Sequence, residues 1–511
     1  MPHYDVIIIG SGAGGGALAL ALAPSGKQIL ILERGGYLPN EEENWDPEAL
    51  FLNERYKTEE RWRDADGGDF RANMYYWVGG NTKPYGAAML RLRPEDFEAL
   101  PHADGLSPAW PISYADLAPY YDRAEATYLV HGLRGDDPLE PPASGPFPFA
   151  PLPHEPRIQE VTDDLRRVGI RAFALPMGIN RNPADPGRAD PKMAACIRCA
   201  TCDGFPCRID AKSDAQTATV DPALAYDNVT LVTHAEVKRL VTDASGRTVE
   251  AVEAVVNGEP VRYSADVVSV SAGAINSAAL LLRSRSDRHP NGLANASDQV
   301  GRNFMKHITS KFYSAAPTPN PTVFQKTMAV NDYYFGGPDE HYPLGHVHLM
   351  GKHSWQMIKD DLPELGDEQL QHLAAHSLDW WVQSEDLPHV ENRVTLSADG
   401  QITLRWNPPA AELAAHQRLM DRFGEKLEQI GFDTFHRVAM PLRVANHQCG
   451  TVRMGTDAAT SVLDVNCRAH DVQNLYVVDA SFFPSSGASN PTLTIVANAF
   501  RVAEHIREVL R

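Results

Sequence analysis

The feature that most constrains this 511-residue chain is its N-terminal unit. Val6-Ile7-Ile8-Ile9 is a continuous apolar run, the pattern of a parallel strand buried on both faces. Gly10, Gly12 and Gly15 follow as G-x-G-x-x-G. Their missing side chains allow a tight turn and let backbone N–H groups approach a pyrophosphate at a helix N-terminus. Ala17–Ala23 reads as that helix and Ile29–Leu32 as a second strand, ending at Glu33. A carboxylate there is placed to hold a ribose 2′-hydroxyl, so FAD or NAD fits and NADP does not.

The length suggests two or three domains. The net charge of −19 is spread along the chain and argues against nucleic acid and anionic membranes as partners. No apolar run is long enough to cross a bilayer. The chain enters a strand within a few residues of Met1, which leaves no room for a signal peptide and points to the cytoplasm. Asp136–Pro156 holds eight prolines and should be an extended linker, lid or arm. Asn182–Pro191 and Ala315–Thr322 are further proline-rich breaks. Between them, Val229–Leu240 reads as a strand and turn, and Val261–Tyr263 and Asp266–Ala274 as strands, with a helix at Asn276–Arg283. Leu475–Asp479 reads as another buried strand. The fold class is α/β, with two interleaved domains.

Several ordered blocks carry a resemblance. They are the N-terminal glycines, Gly79-Gly80-Asn81-Thr82, Thr233–Val237, Ser271–Ser277, Val300–His307, Glu391–Leu396, His447–Gly455 and Leu475–Pro484. With them the chain resembles, from end to end, the glucose–methanol–choline (GMC) FAD-dependent oxidoreductases, and most nearly their bacterial pyranose and glycoside oxidase branch. The resemblance implies a Rossmann-like FAD-binding domain, residues 1–100, 192–308 and 440–511. It also implies an α+β substrate-binding domain, residues 101–191 and 309–439. Gly10, Gly12, Gly15 and Glu33 would take the diphosphate and adenosine ribose of FAD. Asn81 and Thr82 would lie along the ring and ribityl chain, Val237 would offer its backbone to adenine, and Asp479 and Thr492 would close the C-terminal contacts. Some members link the flavin to a histidine after the Gly-Gly pair. Pro84 stands there in this chain, so FAD should be bound non-covalently.

Oxidising an alcohol removes a hydroxyl proton and a hydride, and FAD takes the hydride. A histidine suits the proton. The resemblance places that base at His447 and the partner amide at Asn490. Among sugar-site candidates, Trp381 and Gln383 share one face of a strand over Leu378–Glu385, and Gln325 follows the third proline stretch. The expected reaction is oxidation of a secondary ring hydroxyl, at C3 or C2, of a pyranose or glycoside. Oxygen is the expected acceptor, giving hydrogen peroxide, in a monomer or homodimer. No metal is expected, but Cys196, Cys199, Cys202 and Cys207 have a spacing that could chelate one. An iron–sulfur cluster there would make the alternative a dehydrogenase passing electrons to another acceptor.

Overall fold

The computed structural model describes residues 1–180, 195–337 and 339–511, so Asn182–Pro191 lies outside the described residues. The N-terminal unit is strand His3–Ile9, helix Ala13–Leu22 and strand Ile29–Leu32. The helix starts four residues before the expected Ala17, because the glycines after Gly12 form its first turn. Glycine is a poor helix former, by about 1 kcal/mol each against alanine, so close approach must explain them. A Cβ on Gly14 would lie 1.7 Å from the Val478 carbonyl oxygen, and one on Gly15 would lie 2.0 Å from that of Gly10. Gly14 therefore lets Val478–Asp479 sit on the start of the helix, and Gly15 lets the helix sit on its own turn.

A seven-stranded sheet forms around this unit. Its order is Val229–Val232, Ile29–Leu32, His3–Ile9, Glu259–Val270, Val249–Val256, Ala235–Thr242, with Leu475–Val477 also pairing Glu259–Val270. The first four strands are parallel, and the last two form an antiparallel ribbon. Glu259–Val270 is one strand where the sequence suggested two. Residues 259–263 pair with the ribbon and residues 264–270 pair with His3–Ile9, so the apparent break marks a change of partner. Conversely, Val229–Leu240 divides at His234, which has φ +52°, into strands at opposite edges of the sheet.

A second, six-stranded sheet is antiparallel. Its order is Thr434–Ala439, Ile308–Ala315, Ser377–Ser384, His346–Leu349, Met328–Val330, Phe173–Ala174. Side chains alternate across it. Phe312, Leu349, Trp380 and Val382 pack into a core with Leu419 and Phe423 of helix Ala410–Gln429. The opposite face carries Lys311, His348, Trp381 and Val438, which stand side by side across four strands.

The proline-rich segment 136–156 has no helix or strand before Pro156 opens helix Pro156–Arg167. Of the expected linker, lid or arm, it is an arm against the body. Asp137 pairs with buried Arg93 at 2.8 Å, and the Pro142 carbonyl accepts the Tyr114 hydroxyl at 2.5 Å. The Arg134 guanidinium lies 3.6 Å from the centre of the Phe147 ring. No helix among the described residues is long and apolar enough to cross a membrane.

Candidate active site

A cavity of about 610 Å³ reaches from the carboxyl ends of the parallel strands to the polar face of the second sheet. This is where open α/β sheets take ligands. Gly10, Gly12, Glu33, Asn81, Thr82, Val237, Asp479 and Thr492 line it, together with His447, Asn490 and Trp381. Gly15, Gln325 and Gln383 do not.

The strand end of the cavity suits a dinucleotide. Helix Ala13–Leu22 enters it with no capping side chain and no acid in its first turn, which leaves its N–H groups and positive dipole end for an anion. A Cβ on Gly12 would meet nothing within 4 Å, so the backbone there is open to a phosphate. Glu33 accepts the Ser11 N–H at 3.0 Å and hydroxyl at 2.5 Å on one oxygen, and the Gly35 N–H at 2.9 Å on the other. Burial raises its pKa, and these donors oppose the rise. A carboxylate has about four lone-pair sites, so these three bonds leave room for a ribose hydroxyl.

Three other expected contacts turn out to hold backbone. Asn81 accepts the Tyr75 N–H at 3.0 Å, and Thr82 bridges the Gly79 carbonyl at 2.6 Å and the Ala215 N–H at 2.9 Å. Asp479 accepts from the Gly273 N–H at 2.9 Å, the Ser277 hydroxyl at 2.5 Å, the Ser481 N–H at 2.8 Å and the Ser481 hydroxyl. With every lone pair used, Asp479 fixes two loops around the groove, whose wall it lines.

At the other end stands His447. Burial holds its pKa well below the usual histidine range. Its Nδ1 lies 2.9 Å from Nδ1 of His307, and Nε2 of His307 lies 3.2 Å from the Ser486 carbonyl oxygen. A carbonyl only accepts, so His307 carries its proton on Nε2. Burial pushes the pKa of His307 down to about 4, so the ring is neutral and its Nδ1 is bare. His447 must then donate from Nδ1, which leaves its Nε2 as the lone pair that can take a proton.

Asn490 follows the buried turn Ser485–Ser489. Gln383 donates to the Ala488 carbonyl at 2.5 Å and to Asn490 Oδ1 at 3.5 Å, and accepts the Trp381 indole N–H at 3.0 Å. The Asn490 amide is thereby turned with its oxygen toward Gln383 and its NH2 free to donate. Trp381 packs edge-on near His447, with ring centres 6.2 Å apart. Gln383 therefore orients Asn490 and Trp381 from behind the cavity wall. Gln325 is buried elsewhere, donating to Asp379 at 2.9 Å and accepting from Asn320 at 3.3 Å.

Sequence reasoning passed over His307, His348 and Lys326. His307 stood in the block Val300–His307 without a role, and His346-Val-His348 has the period of a strand face. Both were readable signals. Lys326 also lines the cavity, 2.5 Å from the Asp203 carboxylate, and no local pattern marks that pair.

Among the described residues, no three His, Cys, Asp or Glu side chains converge as a metal ligand set. Cys196 and Cys202 pack against a cluster that includes Leu90 and Leu175. Burial pushes the Cys202 thiol up to about 12. Lys212 staples the loop by donating to the carbonyls of Tyr85, Cys202 and Phe205.

A dinucleotide groove that ends at a histidine and an amide beneath an antiparallel sheet defines an oxidoreductase. Models of the GMC oxidoreductase family match residues 31–309 and 388–499, and the chain belongs to that family, whose members bind FAD. It is 32% identical to 6'''-hydroxyparomomycin C oxidase of Streptomyces lividus and 32% identical to paromamine 6'-oxidase of Streptomyces fradiae. Each match covers 98% of this chain and 91% of the relative. The fold is similar to the crystal structure of pyridoxine 4-oxidase from Mesorbium loti, with a TM-score of 0.70 and 20% identity over 98% of both chains.

Proposed function

We propose that this protein oxidises a secondary ring hydroxyl, at C3 or C2, of a pyranose sugar or glycoside, with oxygen as the final acceptor and hydrogen peroxide as the second product. The observation that carries the reading is the pairing of His447 Nε2, left bare by the His307 contact, with the Asn490 amide in one cavity that also suits FAD. Bound FAD, held by Gly10, Gly12, Glu33 and Val237, supplies the hydride acceptor. His447 takes the hydroxyl proton on Nε2 and passes to the imidazolium form, with its Nδ1–H donated to His307 throughout. Asn490 donates to the substrate oxygen and steadies the charge that develops there. Trp381 offers an apolar face to the sugar ring. The sugar-oxidising relatives support the substrate class, and they are named for 6'-type positions. Pro84, where some family members carry the flavin-linking histidine, supports non-covalent binding of FAD.

The test is His447→Ala in protein that retains its flavin. Anaerobic reduction of the flavin by D-glucose should fall by about a thousandfold, and wild-type product should be a 2- or 3-keto sugar by NMR. Near-normal reduction in the variant would remove His447 from the mechanism. A 6-aldehyde product would move the reaction to the primary alcohol.

A further inference from the structure

A second histidine stands in the cavity with its tautomer set by a buried chain. His348 lies opposite Trp381 across the sheet, and both line the cavity. Its Nδ1 is 3.0 Å from His346 Nε2, and His346 Nδ1 is 2.6 Å from Asn331 Oδ1. Asn331 donates its NH2 to Asp137 at 2.8 Å, and Asp137 pairs with Arg93 at 2.8 Å. The chain has one consistent polarity. A carboxylate paired with arginine only accepts, so the Asn331 NH2 faces Asp137 and its Oδ1 faces His346. His346 then donates from Nδ1 and has a bare Nε2. That nitrogen takes the Nδ1–H of His348 and leaves His348 Nε2 bare toward the cavity. Burial keeps both rings neutral, because it holds both pKa values well below the ordinary range.

The cavity thus presents two imidazole lone pairs. One belongs to His447, and the mechanism above uses it. The other belongs to His348, beside Trp381. An alcohol with one hydroxyl needs one acceptor, whereas a vicinal diol can use two. We propose that His348 is a specificity-determining residue whose Nε2 accepts a hydrogen bond from a hydroxyl adjacent to the one that His447 deprotonates, so that the site selects vicinal diols. The proposal rests on the sugar-oxidase reading for its substrate and on the His348–His346–Asn331–Asp137 chain for its chemistry.

The experiment measures anaerobic flavin reduction by D-glucose and its 2-deoxy, 3-deoxy and 4-deoxy analogues, in wild type and in His348→Leu. The oxidised carbon is identified from the glucose product. In wild type, one analogue lacking a hydroxyl next to that carbon should lose about 30-fold in reduction rate over dissociation constant. In His348→Leu, glucose should fall by a similar factor and that analogue should fall no further. His348→Gln, which keeps an acceptor, should recover part of the loss. An equal deoxy penalty with and without His348, or no penalty in wild type, overturns the proposal. Tautomers are read separately, without substrate, by nitrogen-15 NMR of histidine-labelled wild type, with the His348 signal assigned by its absence in His348→Gln. A proton on Nδ1 and none on Nε2 supports the proposal, and the reverse overturns it even if His348→Leu does not fold. If glucose leaves the wild-type flavin oxidised, the sugar reading fails and the NMR result alone decides the tautomer claim.

Discussion

Replacing His307 with leucine tests the proton path without touching the cavity. In the resting protein the contact of His307 with His447 is a neutral hydrogen bond, 2.9 Å long and partly buried. When His447 takes the substrate proton, the same bond becomes charge-assisted, worth about 1.5–3 kcal/mol. The resting bond, worth about 1 kcal/mol, is lost as well, so the barrier rises by the difference, about 0.5–2 kcal/mol, or roughly 2- to 30-fold in rate at 1.36 kcal/mol per decade. The resting tautomer of His447 also loses its lock, which acts in the same direction. Substrate affinity should hardly change, because His307 does not line the cavity. Stopped-flow flavin reduction separates the two quantities. The reduction rate constant should drop by the stated factor, while the dissociation constant stays within about threefold. His307→Asn, whose carbonyl can stand where Nδ1 stood, should restore most of the loss. A reduction rate unchanged from wild type in His307→Leu would refute the tautomer argument. So would an effect confined to binding.

Three further outcomes follow. Because burial depresses the pKa of His447, the base stays unprotonated down to pH values below 6.5. The acid limb of the reduction rate over dissociation constant should therefore lie below pH 6.5, and a limb at pH 7 or above would contradict that environment. Acid precipitation should release the yellow colour into the supernatant, and colour retained in the pellet would show a covalent flavin. Arg91 holds Glu125 through two bonds of 2.7 Å, both side chains being buried, and Arg134 gives Glu125 a further partner. Arg91→Met should cost about 3 kcal/mol. At about 1.1 kcal/mol per degree for a chain of this length, that lowers the melting temperature by about 3 °C, and an unchanged value would mean that the pair is replaceable.

The parts of this protein readable from sequence are those fixed by local geometry. Gly10, Gly12 and Glu33 carry their chemistry within one strand–turn–helix–strand unit, and all three line the cavity. Boundaries failed where pairing partners decide them. The strand Glu259–Val270 changes partner midway, which no local pattern records. At the site, a residue type indicated a role, but its hydrogen-bond partners decided where that role is exercised. Gln383 shares the face of Trp381, as expected, yet its amide is spent on the Ala488 carbonyl and Asn490. Gln325 is spent on Asp379. His307 and His348 escaped notice because their meaning lies in contacts with Ser486 and His346, and a tautomer is a property of a chain of neighbours.

The most direct test of the central claim is the visible spectrum of the purified protein, mixed with D-glucose under argon and then opened to air. The account predicts that the flavin band bleaches, then recovers rapidly in air with one equivalent of hydrogen peroxide per turnover. A flavin that stays oxidised with glucose and with its methyl and C-linked glycosides would contradict the substrate assignment. Bleaching without recovery in air would contradict oxygen as the acceptor.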